Sequence, residues 1–354
     1  IVGMCKVLAV AGIKPEVAAK KLWTFLIAAT PFMSAYDKDG VGYVAQSKEY
    51  GLWGEKWLKP EEAWKVRDEA HVKDGLYKEK FKGLLLEERF TKFGVADPMM
   101  THAVLLHARM ATCEKSLANV HPFVRGDTAL IHNGIIRNDH QLKKITSTCD
   151  SECILNEYVD KGVFNDPEAI QAVAKELRGY YACAILTKGQ DGKQYLDIFK
   201  NTTSQLSATY VEELDSMVFC TNPEIVKETC KELKWSHGAS FKVKDETLIR
   251  IDAATGDLIS KHTFKEGYTW SNVDHDYSNG YEHGYGNYNR APVTHLPTEE
   301  EKKSVLTIVK PPSQEITEEK RAVGPEKTGK SSEKDTDPDL TSDPFHCMGE
   351  GYMQ

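Results

Sequence analysis

Apolar residues in the first part of the chain follow two patterns. Residues 5–13 and 40–46 are short apolar runs, and each run predicts a buried β-strand. Residues 15–36 repeat apolar side chains at helical spacing, which predicts a core helix. Residues 99–112 begin as a further buried strand. The helical run contains Pro31 and is too short to cross a bilayer, so we predict no membrane span and no membrane partner.

The later part of the chain mixes predicted helices and strands without a regular repeat. Helical periodicity with well-placed Pro residues predicts helices, and runs rich in Val, Ile, Tyr and Phe predict strands. This irregular order favours an α+β fold over a repeated βαβ unit. The predicted helices are 59–70, 153–162, 167–177 and 223–233, and the predicted strands are 180–188, 195–201, 216–222, 240–252 and 258–264.

The composition of the chain changes after about residue 265. Residues 274–292 are rich in Gly, Tyr, Asn and His, and residues 297–345 are mainly charged residues, Ser, Thr and Pro. Such segments bury too little apolar surface to offset chain entropy, so they predict a disordered or extended tail. The sequence therefore predicts a domain at 4–264 and a tail at 265–354, and the tail is where we expect an arm that binds a protein partner.

Charge, cysteine spacing and missing motifs argue against several classes of function. The net charge is −8, whereas a nucleic-acid-binding surface needs a cationic excess, so we predict no nucleic-acid partner. The eight cysteines lack CxxC spacing, which is typical of reduced thiols in a cytoplasmic protein. Glycine-rich nucleotide motifs and HExxH are absent, and His275, His283 and His295 are irregularly spaced. We therefore predict no cofactor, no metal site and no secretory leader.

The first hint of chemistry lies in residues 129–142, where His132-Asn133-Gly134 enters a strand-like apolar run. Asn-Gly between β-prone residues predicts a tight hairpin turn, because both residues tolerate positive φ. Such a turn also directs a side-chain amide and a backbone N–H at one point in space. These residues alone leave both a plain turn and a binding site open.

Four segments with recognisable chemistry follow one another along the chain. They are Met4-Cys5, then HARMAT at 107–112 with NVHP at 119–122, then HNGIIRN at 132–138, and finally DSE at 150–152. In this order they resemble the class II glutamine amidotransferase domain of the N-terminal-nucleophile hydrolases. The segments of that family read as an N-terminal Cys, HTRWAT, N-x-HP, HNGII-x-N and D-[ST]-E. The resemblance covers roughly residues 4 to 260.

The chain departs from the usual family pattern at a few positions. Lys6 follows the cysteine where the family usually has Gly. Ala108 and Met110 flank Arg109 in place of Thr and Trp, and Cys113 stands where relatives often have His. None of these changes removes a group that is essential to the chemistry.

The resemblance implies a four-layer α/β/β/α sandwich of two mainly antiparallel sheets. It also implies hydrolysis of the glutamine side-chain amide to glutamate and ammonia through a Cys5 thioester. Asn133 and Gly134 would form the oxyanion hole. A cysteine at the start of a chain carries its own base, since an α-amine titrates near ~8. Because residues 1–4 precede Cys5 here, we expect either their removal or a catalytically silent protein.

A site for glutamine, which is a zwitterion, needs both a cation and an anion. Arg109 offers a bidentate guanidinium to the α-carboxylate, and by family position Asp150 binds the α-ammonium. Thr112 and His121 lie where the family places supporting contacts. The residues by themselves leave open that Cys5 is a small buried hydrophobe, that Arg109 forms a surface salt bridge and that Asp150 caps a helix.

Three functions follow from these residues. The leading prediction is a glutamine amidotransferase or glutaminase, with ammonia passed to a separate synthase subunit. The second is an amidase for another γ-glutamyl compound, although Arg109 and Asp150 favour an α-amino-acid substrate. The third is a non-catalytic structural or assembly protein that reuses the fold.

Overall fold

The computed structural model describes residues 5–14, 18–34, 39–48, 51–59 and 101–267. All but the first residue of the helix predicted at 59–70 lies outside these ranges, as do the tail after residue 267 and His275, His283 and His295. The described residues form thirteen strands and four α-helices. In chain order these are β1 (Lys6–Ala11), α1 (Ala18–Ser34), β2 (Gly40–Ser47), β3 (Gly51–Leu58), β4 (Thr101–Arg109), β5 (Phe123–Arg125), β6 (Thr128–Ile136), α2 (Ser151–Asp160), α3 (Ile170–Glu176), β7 (Gly179–Lys188), β8 (Gln194–Lys200), β9 (Ser207–Val211), β10 (Ser216–Cys220), α4 (Pro223–Leu233), β11 (His237–Lys242), β12 (Thr247–Asp252) and β13 (Leu258–Thr263).

Two antiparallel sheets form the centre of the described structure. Within the described ranges, one sheet has seven strands in the order β11-β9-β10-β1-β4-β2-β3. The other has six strands in the order β13-β12-β8-β7-β6-β5. Neighbouring strands run antiparallel throughout both sheets. The predicted α+β class with mainly antiparallel sheets is confirmed.

Three apolar clusters define the layers of the domain. Trp23 and Leu26 of α1 pack with residues of α4 on the outer face of the seven-stranded sheet. Residues of α2 and α3 cover the outer face of the six-stranded sheet. The remaining cluster lies between the sheets and joins Val7 of β1 to Ile131 of β6. Helices therefore cover both outer faces, and the predicted four-layer α/β/β/α sandwich is confirmed.

Alternation along the strands decides which side chains face the space between the sheets. Val7 of β1 lies in the inter-sheet cluster, whereas its neighbour Leu8 packs under α1. On β4, Leu105 lies in the inter-sheet cluster and Leu106 packs under α1. Ile131 of β6 is again an inter-sheet residue. Odd-numbered positions on these three strands therefore face the opposite sheet, since successive side chains of a strand point to opposite faces.

The core helix predicted for the first part of the chain is confirmed as α1. It contains 17 residues, and Pro31 lies inside it near the C-terminal end. Among the helices in the described ranges, none combines the length and the apolar character that a bilayer span requires.

The strand prediction was wrong at one segment, and it omitted β3, β5 and β9. The single strand predicted at 240–252 is two strands, because β11 belongs to one sheet and β12 to the other. The chain changes sheet at a turn that includes Glu246, whose φ is +48°. β3 was not predicted, since its sequence GLWGEKWL places Gly, Glu and Lys among the apolar residues and weakens the pattern.

A buried ion pair holds α2 against the six-stranded sheet. Arg250 of β12 donates hydrogen bonds to Asp197 of β8 from Nε at 2.8 Å and from Nη2 at 2.6 Å. The hydroxyl of Tyr158 on α2 donates to the same carboxylate, and burial raises the pKa of this phenol. A buried charge pair with its hydrogen bonds satisfied fixes the geometry of the groups that form it. The C-terminal part of α2 is therefore held against this sheet.

Candidate active site

Cys5 lies at the head of β1, beside the end of β4. Its Sγ accepts a hydrogen bond from Met110 N at 3.3 Å and donates one to Met110 O at 3.4 Å. The pairing of Lys6 with Ala108 sets this register. The side chain is only half-buried, so Cys5 is not the enclosed small hydrophobe that the sequence left open. The thiol thus lies next to the backbone of Met110, which directly follows Arg109.

Cys5, Arg109 and Asn133 share one side of the sandwich. Arg109 ends β4 at an odd-numbered position, which alternation directs towards the space between the sheets. Asn133 lies two residues after Ile131 on β6 and has the same direction. Cys5 lies two residues before Val7 and follows the alternation of β1. Three of the sequence-predicted site residues therefore face the same interior.

The guanidinium of Arg109 is nearly enclosed, with 2% of the residue exposed. Its Nη2 donates to Glu114 O at 2.9 Å and lies 3.3 Å from Cys113 Sγ. Its Nη1 is buried and has no hydrogen-bond partner among the described residues. The interpretation of Arg109 as a surface salt bridge is therefore wrong. A buried cation with an unpaired donor is suited to the carboxylate of a ligand.

Asn133 and Gly134 lie within β6, and the hairpin turn predicted at these residues is wrong. β6 stays in register with β7 from residue 129 to residue 136. Gly134 instead allows β6 and β7 to lie close together. Its φ is +152°, and an added Cβ would lie 1.9 Å from Tyr180 O on β7. The side-chain Oδ1 of Asn133 is buried and has no hydrogen-bond partner in the described part of the chain.

We expect Gly134→Ala to destabilise the domain strongly. The new Cβ would overlap Tyr180 O and lie 2.6 Å from His132 Nε2, so β6 or β7 would have to move. Gly126→Ala is the matched control, since Gly126 also has a positive φ of +57° but an added Cβ meets nothing within 4 Å. We expect a loss of roughly 3 kcal/mol or more for Gly134→Ala and about 1 kcal/mol for Gly126→Ala. Thermal unfolding followed by circular dichroism measures both, and equal losses would contradict the contact argument.

Asp150 directly precedes α2, yet its side chain makes no capping hydrogen bond to the helix. Its Oδ2 instead accepts a hydrogen bond from Ile136 N at 2.7 Å. This bond ties the carboxylate to β6, the strand that carries Asn133. The interpretation of Asp150 as a helix cap is therefore wrong. Its Oδ1 is contacted by the weak sulfur donor of Cys149 at 3.5 Å.

The two predicted supporting residues lie in different environments. Thr112 is exposed in the loop after β4. His121 is buried and its ring contacts that of His107, with centroids 3.9 Å apart and the planes tilted by 32°. Burial lowers the pKa of His121 well below its ordinary value, so the ring is neutral at pH 7. His121 is therefore packed into the interior of the site, whereas Thr112 lies at its surface.

A buried histidine cluster, defined as His107, His121 and His132, connects the two sheets. His107 Nε2 is hydrogen-bonded to His132 O at 3.0 Å, and His132 Nδ1 to Ser151 Oγ at 2.8 Å. Burial lowers the pKa of His107 to about 3 and also lowers the pKa of His132. His107 and His132 were not predicted, although each belongs to one of the motif segments. Among the described residues, no group of three or more His, Cys, Asp or Glu is placed to hold a metal ion.

Lys56 of β3 is a further cation that the sequence did not indicate. Its Nζ donates to Val120 O at 2.9 Å, and burial lowers its pKa to about 8. The charged side chains that act on it include Glu152 and Arg109. The signal was missed because β3 itself was not predicted.

Comparison with curated proteins finds glutamine–fructose-6-phosphate aminotransferases (isomerizing). The chain is 38% identical to that of Zymomonas mobilis subsp. mobilis over 105 residues, which is 26% of this chain and 17% of the relative. It is 34% identical to that of Shewanella oneidensis over 104 residues, again 26% and 17% of the two chains. These sequence matches agree with the ordered motif segments. In both respects the chain is similar to class II glutamine amidotransferase domains. No protein-family model matches the chain.

Comparison with solved structures finds two further proteins that are named for glutamine. The glutamine phosphoribosylpyrophosphate amidotransferase of B. subtilis has a TM-score of 0.49 and 17% identity, covering 74% of this chain and 49% of that chain. A glutamine aminotransferase class-II domain protein from Silicibacter pomeroyi has a TM-score of 0.40 and 13% identity, covering 74% and 100%. The likeness to an amidotransferase domain rests on the motifs and the sequence matches. The matched stretch spans 17% of the curated relatives, so their complete activity is not assigned with the domain.

Proposed function

We propose that the amidotransferase domain hydrolyses the side-chain amide of glutamine to glutamate and ammonia. The observation that carries this proposal is Arg109, a buried guanidinium whose Nη1 is unpaired among the described residues. Cys5 Sγ is hydrogen-bonded to Met110, the residue that follows Arg109 in the chain. A carboxylate-binding cation and a thiol are therefore neighbours, as a reaction on an amino-acid side chain requires.

The proposed reaction proceeds through a thioester on Cys5. The thiol gives its proton to the α-amine of the same residue, and the sulfur attacks the amide carbon. The tetrahedral intermediate collapses, the C–N bond breaks, and the proton on the α-amine goes to the leaving ammonia. Water then cleaves the thioester to release glutamate, so glutamine and water give glutamate and ammonia. No cofactor or metal enters this half-reaction.

The α-amine acts as a base only when Cys5 is the first residue. In a chain that keeps residues 1–4, this nitrogen is an amide and cannot accept the proton. The active form is therefore proposed to begin at Cys5. Residues 1–4 lie outside the described ranges.

Asn133 and Gly134 are the proposed oxyanion hole. Alternation directs the Asn133 side chain towards the interior that Cys5 also faces. The side-chain N–H₂ of Asn133 and the backbone N–H of Gly134 would donate to the developing oxyanion.

We expect Asn133→Ala to lower the kcat for glutamine hydrolysis by roughly 100- to 1,000-fold and to change KM little. The reason is that the oxyanion exists only in the transition state. Steady-state kinetics of glutamate formation measure both constants. The matched variant is Asn133→Asp, which keeps the shape of the side chain but replaces the donor with an acceptor. A large rise in KM with an unchanged kcat would place Asn133 in substrate binding instead.

Arg109 and Asp150 are proposed to bind the α-carboxylate and the α-ammonium of glutamine. A contact path links them, because Arg109 Nη2 touches Cys113 Sγ and Cys149 Sγ donates to Asp150 Oδ1. Cys113 and Cys149 also interact electrostatically. Thr112 and His121 are proposed to support the carboxylate end. This pair of charges favours glutamine over a γ-glutamyl compound whose α-amino or α-carboxylate group is blocked.

The ammonia acceptor is proposed to be a separate synthase subunit. The curated relatives are named for glutamine and fructose 6-phosphate, and the matched stretch is 17% of their length. Glutaminase activity measured with and without candidate acceptor subunits distinguishes a free glutaminase from an ammonia donor. A non-catalytic assembly role is the competing function, and it is favoured by the residues that precede Cys5.

A further inference from the structure

Two loops that meet beside Arg109 each carry a cysteine. Cys113 lies in the loop after β4, and Cys149 directly precedes Asp150. Asn119 clamps these loops together, since its Nδ2 donates to Glu114 O at 2.9 Å and to Thr148 Oγ1 at 2.8 Å. Its Oδ1 accepts from Thr148 N at 2.9 Å, so the two cysteine-bearing segments have a fixed separation.

The two thiols lie near each other beside this clamp. The side chains of Cys113 and Cys149 interact electrostatically, and Cys113 packs against the apolar cluster that contains Cys149. Cys113 is half-buried and therefore accessible to a small reagent, whereas Cys149 is buried. The bonds of Asn119 hold the two cysteine-bearing segments side by side, which is the first requirement for a disulfide between them.

We propose that Cys113 and Cys149 are a modification site at which a hydroperoxide forms a disulfide between the carboxylate-binding and ammonium-binding sides of the pocket. This pair is not part of the proposed hydrolysis. It lies between Arg109 and Asp150, because Arg109 Nη2 is 3.3 Å from Cys113 Sγ and Cys149 Sγ is 3.5 Å from Asp150 Oδ1.

The chemistry assigns a different part to each sulfur. The Cys113 thiolate attacks the terminal oxygen of the hydroperoxide, the O–O bond breaks, and the leaving hydroxide or alkoxide takes up a proton. Cys149 Sγ then attacks the sulfenic sulfur of Cys113, the S–O bond breaks, and water leaves with the proton of Cys149. In total two thiols are oxidised by two electrons, and one hydroperoxide is reduced to water and an alcohol, or to two waters.

The electrostatics support this division of parts. The hydrogen bond from Cys149 lowers the pKa of Cys113 to about 7, and Arg109 contributes to the lowering, while burial and Asp150 oppose it. The same hydrogen bond, with burial and the nearby Asp150 charge, raises the pKa of Cys149 well above its ordinary value. Lys56 is a further charged group close to Cys149. Cys113 is therefore the attacking thiolate near pH 7, and Cys149 is the resolving thiol.

The test is peptide mapping of the intact chain after treatment with hydrogen peroxide. Free thiols are blocked, and trypsin then releases residues 110–115 and residues 145–161, which carry Cys113 and Cys149. We expect these peptides to be joined, with a mass 2 Da below their sum, and to separate on reduction. The second peptide also contains Cys153, so Cys153→Ser is the control that should keep the link.

Two variants separate the parts of the two sulfurs. Cys149→Ser should lose the link and leave Cys113 as a sulfenic acid that a cyclic 1,3-diketone traps. Cys113→Ser changes a half-buried residue, and it should lose the link and leave Cys149 unmodified. The rate of thiol loss in the unmutated chain should rise with pH and reach half its maximum near pH 7. A link from Cys113 to Cys5 or Cys153, or a Cys113 that stays reduced while Cys5 is oxidised, would overturn the proposal.

Discussion

Protein that begins at Cys5 is expected to hydrolyse glutamine, whereas protein that keeps residues 1–4 is expected to form no glutamate above background. The nucleophile and its base belong to one residue in the proposed mechanism, so acylating the α-nitrogen removes the base while every side chain stays in place. A free α-amine titrates near ~8 and is partly able to accept a proton at neutral pH. The rate of glutamine hydrolysis by Cys5 is therefore expected to require that Cys5 is the first residue.

The measurement is glutamate formation from glutamine by the two forms, after their masses have been confirmed. Cys5→Ala in the shorter form is the control, and it should abolish hydrolysis while leaving glutamine binding largely intact. Equal activity of the two forms would show that the α-amine is not the base. Activity that survives in Cys5→Ala would exclude Cys5 as the nucleophile, and inactivity of both forms would favour the non-catalytic assembly role.

Arg109→Met is expected to raise the KM for glutamine by roughly 100-fold, with a smaller effect on kcat. The α-carboxylate is present in both the ground state and the transition state, so its loss weakens the binding of both. Removing one member of a buried charge pair costs about 2–5 kcal/mol, which corresponds to this order of magnitude in affinity. Arg109→Lys keeps the charge but not the bidentate fork, and we expect it to recover only part of the affinity.

Kinetic analysis of the form that begins at Cys5 tests this expectation. Arg109 Nη2 also donates to Glu114 O at 2.9 Å, so the circular dichroism spectrum and Tm of each variant must be compared with those of the unmutated protein. Arg178→Ala is the matched control, because Arg178 is exposed. An unchanged KM in a folded Arg109→Met variant would remove Arg109 from substrate binding.

The layers of the fold could be predicted from the sequence because they depend on apolar patterns. Residues 5–13 read as a buried strand, and β1 does pack with Leu8 under a helix and Val7 against the opposite sheet. The helical spacing of residues 15–36 likewise identified α1. Patterns of this kind report burial directly, since period and face are properties of the sequence itself.

The candidate site was harder to predict where one residue type serves several purposes. Asn133-Gly134 has the composition of a hairpin turn, but the glycine is needed for close contact with Tyr180 inside a continuous strand. Asp150 precedes a helix as a cap would, but its carboxylate binds Ile136 N on β6. Both outcomes depend on long-range contacts, and local propensity does not encode them.

The motif order located residues that no local rule would have brought together. Arg109 and Cys5 are far apart in sequence, yet the antiparallel pairing of β1 with β4 makes them neighbours. The proximity of Cys113 and Cys149 could not be predicted from the sequence, because neither residue belongs to a cysteine-spacing motif. It emerges only when Asn119 joins the two loops.

Cys5, as the first residue of the chain, is the proposed nucleophile of a site specific for glutamine. Its role is tested by the intact mass of the form that begins at Cys5 after reaction with a diazo-ketone analogue of glutamine, followed by peptide mapping. We expect one adduct per chain, located at Cys5 and suppressed by excess glutamine. No adduct, or an adduct on another cysteine that glutamine does not suppress, would contradict it.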